Sequence, residues 1–225
     1  MKAGGDARAV LSWSSGKDCA WALHVCRRDG LAEIGALMTT VNGTAERVAM
    51  HGTRRALLQA QAEALGLPLI EIALPWPCSN ADYERIMGEA CARLVADGFG
   101  TVVFGDLFLE DIRAYRETQL AGTGLAPFFP LFGSDTSALA REMISEGVEA
   151  RVVTCDPARL DENFVGRLWD ADFMADLPEG VDPCGENGEF HTFVTNGPGF
   201  AAPIPHRVGE TILRDGFLYA DLLAD

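Results

Sequence analysis

The chain has 225 residues, is 48% hydrophobic and 23% charged, and carries a net charge of −15 from 33 acidic against 18 basic residues. Such a composition suits a globular protein that buries a sizeable core, as one large domain or one domain with a smaller companion. An acidic field opposes docking on nucleic acid or on an anionic membrane, but leaves a nucleotide ligand open, because backbone N–H groups and a single lysine can supply local positive potential. No apolar run reaches the ~18 residues that span a bilayer, and residues 1–6 lack a basic-then-apolar leader pattern. The expected location is cytoplasmic.

In chain order, Ala9-Val10-Leu11-Ser12-Trp13 is a short apolar strand running into a Ser/Gly loop, followed by a helix over 19–28. Residues 33–41 read as a second strand and 46–65 as a long amphipathic helix closed by Gly66. A third strand covers 68–74, then a helix capped by Ser79 or Asn80 covers 79–96, and a strand covers 101–104. Strands alternating with helices of this length predict an α/β fold: a parallel sheet, helices on both faces, right-handed crossovers. The pattern changes in the Gly/Pro-rich stretch 122–133. Beyond it come a helix (136–145) and strands at 150–155, 190–195, 206–213 and 217–222. We therefore expect an α/β domain over 1–125 and a smaller α+β domain over 126–225. The apolar stretch 126–132 is a candidate homodimer contact.

Six cysteines are scattered without a CxxC pair, which gives no support to a zinc site or a disulfide framework. Cys19 at a helix start is placed where a thiol pKa falls. Trp13 and Trp21 read as core, Trp76 as part of a rigid Pro-Trp-Pro connection bordering the site, and His51 as solvent-facing or lining the nucleotide site. His24 and Cys26 are assigned no chemistry.

Ser14-Ser15-Gly16-Lys17-Asp18 lies between the first strand and the first helix, where a parallel sheet presents ligands. Small residues let the backbone approach phosphate oxygens, the helix start adds unpaired N–H donors, and Lys17 adds a mobile charge. Asp18 is placed to cap the helix or to position Mg2+. The same small-residue turn would also serve as an ordinary helix entry. Thr39, Thr40 and Asn42 end the second strand, where an adenine or ribose would lie or where they are plain strand-end residues. Asp106 follows the fourth strand as a candidate Mg2+ or amine ligand or as a helix cap. Arg113, Arg116 and Glu117 stand at helical spacing, either as a carboxylate or phosphate clamp or as a surface i,i+4 pair. Glu186, Glu189 and His191 sit on a turn whose Gly185 and Gly188 bring two carboxylates to one rim, suited to holding or deprotonating ammonium, or are a plain acidic turn before a strand, which composition alone favours.

Residues 14–19, Ser-Ser-Gly-Lys-Asp-Cys, resemble the SGGxDS signature of the ATP pyrophosphatases, with Ser15 replacing a glycine and Cys19 a serine. Gly105-Asp106 through Glu117 resembles the GDI…R…E segment of the diphthine–ammonia ligase family, and Cys184 through Thr192 resembles its GEGGEYET motif, continued at Pro198-Gly199-Phe200. The resemblance covers nearly the whole chain. It implies a PP-loop, Rossmann-like domain over 1–125 that binds ATP and Mg2+, a substrate-binding domain over 126–225, and a ligase that adenylates a carboxylate and forms an amide with ammonia or an amine. On that basis Lys17, Asp106, Glu186 and Glu189 are expected to be catalytic. Ser14, Ser15, Gly16, Lys17, Asp18, Cys19, Thr39 and Thr40 would bind ATP, and Asp18 and Asp106 Mg2+. Arg113, Arg116, Glu117, Glu186, Glu189 and His191 would face the acceptor. Asn187 and His191 stand where the family carries glycine and glutamate, so the acceptor stays open between diphthine and a small-molecule carboxylate. An RNA-modifying adenylating enzyme and a non-catalytic ATP-binding regulator are the alternatives.

Overall fold

The computed structural model describes residues 8–42, 47–48 and 52–225. Its first sheet contains five parallel strands, β1 (Arg8–Ser12), β2 (Ile34–Asn42), β4 (Leu69–Leu74), β5 (Phe99–Val103) and β6 (Ala126–Phe128), and a two-residue antiparallel β3 (Arg47–Val48) beside the end of β2. Pairing gives the parallel order β4-β2-β1-β5-β6. The chain therefore winds outward in one direction from β1, returns, and continues from β5. β1 and β5 border the reversal, the point where doubly wound sheets bind ligands.

β1 is apolar over Ala9, Val10 and Leu11 and buried on both faces, as a central parallel strand must be. Helices α1 (Lys17–Arg28) and α2 (Arg55–Leu65) cover one face, where Leu11, Trp21, Leu37, Leu58 and Val103 share a core. On the other, α3 (Asn80–Ala96) and α4 (Glu110–Leu120) bury Val10, Ala36, Cys91, Leu94, Val102 and Leu120. Ser79 caps α3 by accepting the Asp82 N–H at 3.1 Å, and Gly66 closes α2 in the left-handed region at φ 64°.

The second sheet is antiparallel, in the order β8 (Phe190–Asn196), β7 (Glu149–Cys155), β10 (Phe217–Ala224), β9 (His206–Arg214), accompanied by α5 (Thr136–Ser145) and α6 (Ala171–Asp176). The main core runs through both halves: Phe173, Phe190 and Val194 pack in the same cluster as Leu11, Trp13 and Trp21. Among the described residues no helix is long and apolar enough to cross a membrane.

Two expectations change. The helix read over 46–65 begins at Arg55, and Arg47–Val48 instead pair with Val41 and Asn42 of β2; residues 46 and 49–51, His51 among them, lie outside the described residues. In the stretch 126–132, β6 joins the sheet edge, Leu131 is buried, and Phe128 and Phe129 are partly buried against the two cores, which reduces the apolar area left for a homodimer contact.

Candidate active site

After β1 the chain turns through residues 13–16 into α1. Ser15 is fully buried at φ 72°, a region that costs a non-glycine residue strain, and its hydroxyl lies 3.0 Å from that of Thr53. The resemblance places a glycine here, and the backbone shows why. Gly16, not Asp18, occupies the N-cap position of α1. Cys19 stands in for a serine as a hydrogen-bonding group: its thiol accepts from the Ser14 hydroxyl at 3.4 Å and donates to the Gly16 carbonyl at 3.0 Å. Burial pushes that thiol up to about 11, opposite to the lowered value expected at a helix start. It is not a reactive thiolate.

Lys17 is 1% exposed. Its ammonium donates to both carboxylate oxygens of Asp18 at 3.0 and 2.9 Å and to the Cys184 carbonyl, and lies over the rings of Trp169 and Phe190 at 5.2 and 5.6 Å. Burial alone would lower its pKa; Asp18, Cys184 and Glu186 outweigh that and raise it, so the side chain stays charged. The backbone N–H of Lys17, one of the donors expected to face a ligand, instead donates to Thr192 Oγ1 at 3.1 Å.

From the far side of the reversal, the loop after β5 brings Gly105 and Asp106 against the start of α1. A Cβ on Gly105 would lie 2.9 Å from the Asp18 carbonyl carbon and the Cys19 nitrogen, so no larger residue fits without moving backbone. Asp106 does not cap α4, whose N-cap is Leu109; it pairs with Arg116 at 2.9 Å. Arg116 lies over the ring of Phe104 at 4.4 Å. Arg113 and Glu117 form a half-exposed i,i+4 pair at 2.9 Å, with Arg113 over Phe129 and Phe132, and line neither cavity described below. Of the helical trio, only Arg116 reaches the site.

The third component is the turn 182–189. Glu186 Oε1 accepts the Leu107 N–H at 2.7 Å and lines the cavity beside Lys17 and Asp106. Burial raises its carboxyl to about 7, against the pull of those N–H donors. Glu189 behaves differently from the expectation that both carboxylates share one rim. It is 1% exposed and turned into the loop, where it accepts the backbone N–H groups of Asp182 and Asn187 and the Asn187 amide, each at 3.1 Å. It braces the turn and leaves Glu186 as the carboxylate at the rim. Gly185 at φ 72° would place a Cβ 2.6 Å from the Phe190 carbonyl, so it too must be glycine. His191 lines the cavity, and burial, with Lys17 nearby, lowers its pKa to about 4 and keeps it neutral.

These components enclose two joined cavities. One of about 350 Å3 is lined largely by apolar and aromatic side chains from α3, α4 and the sheet, with Thr39 and Thr40 at the end of β2. A second of about 200 Å3 holds Ser14, Gly16, Lys17, Asp18, Cys19, Asp106, Glu186 and His191. Ser12, Ser14, Phe104 and Arg116 line both. Trp76 is 72% exposed and lines neither. The polar cavity carries Lys17 and Arg116 against Asp18, Asp106 and Glu186, two cations and three carboxylates. Among the described residues no group of three or more His, Cys, Asp or Glu side chains is arranged to hold a metal. Asp18 and Asp106 each already face a cation. Two carboxylates fit a magnesium ion that arrives with phosphates and keeps its waters, rather than a resident cage.

Residues that the motifs do not mark complete the frame. Asp182 accepts from Thr136 Oγ1, Cys184 N and Glu186 N, and Trp169 donates to the Pro183 carbonyl at 3.0 Å. Gln61 and Thr53 reach the first loop from α2 and the segment before it. The sequence signal for Gln61 is a polar residue within the apolar helix face of Leu57, Leu58, Ala62 and Leu65, and Thr53 carries none.

Comparison with known proteins places this frame. Residues 7–125 match the model of the diphthamide synthase N-terminal domain, and residues 135–212 that of the diphthamide synthase C-terminal domain. A Danio rerio protein named diphthine–ammonia ligase is 27% identical over 177 residues, covering 71% of this chain and 68% of that protein.

Proposed function

The chain belongs to the diphthamide synthase family, and from that membership we propose that it is an ATP-dependent ligase joining ammonia or an amine to an acceptor carboxylate. The observation that carries this reading is the meeting of an apolar chamber and a charged one at Ser14 and Arg116. A nucleotide laid across that junction has its base among Thr39, Thr40 and the apolar lining, its leaving pyrophosphate over residues 14–19, and its α-phosphate beside Arg116. The acceptor carboxylate attacks the α-phosphorus; the bond to the pyrophosphate breaks, and a mixed anhydride with AMP forms. Lys17, charged and buried, neutralises the leaving group where water does not screen it. Asp18 and Asp106 would hold magnesium, which supplies further positive charge to the phosphates.

Ammonia then attacks the acyl carbon, AMP leaves, and the proton shed by nitrogen is taken by Glu186. A carboxylate raised to about 7 is a better base near neutral pH than an ordinary one. The acceptor-facing part is the turn 182–191, contributed by the second half, and the nucleotide-facing part is contributed by the first. The name of the Danio rerio relative gives its acceptor as diphthine and its nitrogen donor as ammonia; for this chain we carry over the carboxylate and the ammonia, and leave the acceptor's size to experiment. The test is release of pyrophosphate and AMP that requires Mg2+, a carboxylate acceptor and ammonia together. Formation of ADP and orthophosphate would overturn the mechanism, and ATP binding with no turnover on any acceptor would favour a regulator.

A further inference from the structure

Gln61 is fully buried on α2. Its side-chain oxygen accepts from Trp13 Nε1 at 2.9 Å, and its nitrogen donates to the carbonyls of Ser15 at 3.1 Å and Val194 at 2.6 Å. A buried amide is costly unless its hydrogen bonds are made. Here they are made to three points of the chain: Trp13 and Ser15 in the turn between β1 and α1, and Val194 in β8. The Ser15 carbonyl receives a second hydrogen bond from the Val194 N–H at 2.9 Å. This doubly held carbonyl belongs to the residue at φ 72°. A non-glycine residue stays in that region only when its surroundings hold it there, and the Thr53 hydroxyl, 3.0 Å from that of Ser15, holds the side chain as well.

We propose that Gln61 is a positioning residue for the ATP loop, fixing Ser15 in its left-handed conformation and with it the path of the chain into α1. Gln61 lines neither cavity, so it acts through Ser15 and not on the nucleotide. The inference rests on the reading of residues 14–18 as the phosphate site. It also explains how a serine occupies a position suited to glycine: the strain is met by hydrogen bonds from α2 and β8.

Gln61→Met keeps the volume and removes both N–H donors together with the acceptor of the Trp13 indole N–H. MgATP binding, measured by titration calorimetry, should weaken about tenfold, the scale of one lost buried hydrogen bond. Adding Ser15→Gly, which reaches the left-handed region unaided, should return the double variant to the affinity of Ser15→Gly alone. A role confined to general stability would lower the melting temperature without that rescue. Should Gln61→Met not fold, Gln61→Asn withdraws the same amide by one methylene and carries the same comparison. Wild-type affinity in the folded Gln61 variant, or a double variant no better than the Gln61 variant, would overturn the inference alone. Failure of the wild-type chain to bind MgATP would overturn the phosphate-site reading and this inference with it.

Discussion

Replacing Gly105 by alanine tests the close approach of the loop after β5 to the first turn of α1. The added Cβ would sit 2.9 Å from the Asp18 carbonyl carbon and the Cys19 nitrogen and 3.0 Å from the Asp18 carbonyl oxygen, where ordinary contact begins at 3.4 Å. All three are backbone atoms, so the loop after β5 and the first turn of α1 must separate by about 0.5 Å, the difference between 3.4 and 2.9 Å. Overpacking of this kind costs about 1–3 kcal/mol, which in a chain of this size lowers the melting temperature by about 2–12 °C. Activity should suffer independently. A displacement of about 1 Å costs about 100-fold in turnover, so half of it predicts about a tenfold loss. Thermal denaturation and MgATP-dependent pyrophosphate release measure the two effects on one sample. An alanine variant with wild-type melting and wild-type turnover would refute the claim that these two loops are in backbone contact in the working enzyme.

The two arginines of α4 should separate cleanly. Arg116→Ala removes the cation shared by both cavities and should cut pyrophosphate release about 100-fold, while Arg113→Ala should leave turnover unchanged and cost about 1 kcal/mol in denaturant titration, from the Glu117 pair and the contacts over Phe129 and Phe132. Glu186 gives a pH signature. With its carboxyl raised from 4.5 to about 7, turnover should climb as pH rises toward 7, level off above it, and lose that limb in Glu186→Gln. The same shift has a definite sign for stability: the folded chain holds this proton more tightly than the unfolded chain, so the Glu186 contribution declines as pH rises from 4.5 through 7. Glu186→Gln should flatten that part of a melting-temperature profile. Of the six cysteines, five are buried and Cys78 is half-buried. Native thiol titration should therefore show one fast equivalent, abolished by Cys78→Ser, and a fast reaction at Cys19 would contradict its placement within the loop.

Most of the first sheet was legible because each parallel strand is an apolar run bounded by turn residues, and each helix has a periodic face. The later start of α2, at Arg55, has a local cause. Gly52 and Thr53 are poorer helix formers than the residues of Arg55–Leu65, and Arg47 and Val48 satisfy their backbone by pairing with the end of β2. The stretch 126–132 reveals its apolar character in sequence but not its strand β6. Apolar composition says that a segment seeks cover and does not say whether a partner chain or its own sheet provides it.

Within the site, residue type was informative and direction was not. Glu186 and Glu189 lie three residues apart on the same turn, and nothing in the sequence separates the carboxylate that faces the cavity from the one that accepts the turn's own N–H groups. The turn decides it: Gly185 must pass within contact of the Phe190 carbonyl, and that geometry leaves the Asp182 and Asn187 N–H groups needing a buried acceptor, which Glu189 supplies. Arg113 and Arg116 divide in the same manner, because only Arg116 has Asp106 to draw it inward. The candidate phosphate loop stands out by its small residues, yet its conformation depends on Gln61, 46 positions beyond Ser15, and on Val194, a further 133 positions along the chain. A loop held by β8 on one side and α2 on the other forms only when both halves are folded together. The proposed nucleotide and acceptor sites are therefore parts of one folded unit, joined through Ser15, Lys17 and Thr192.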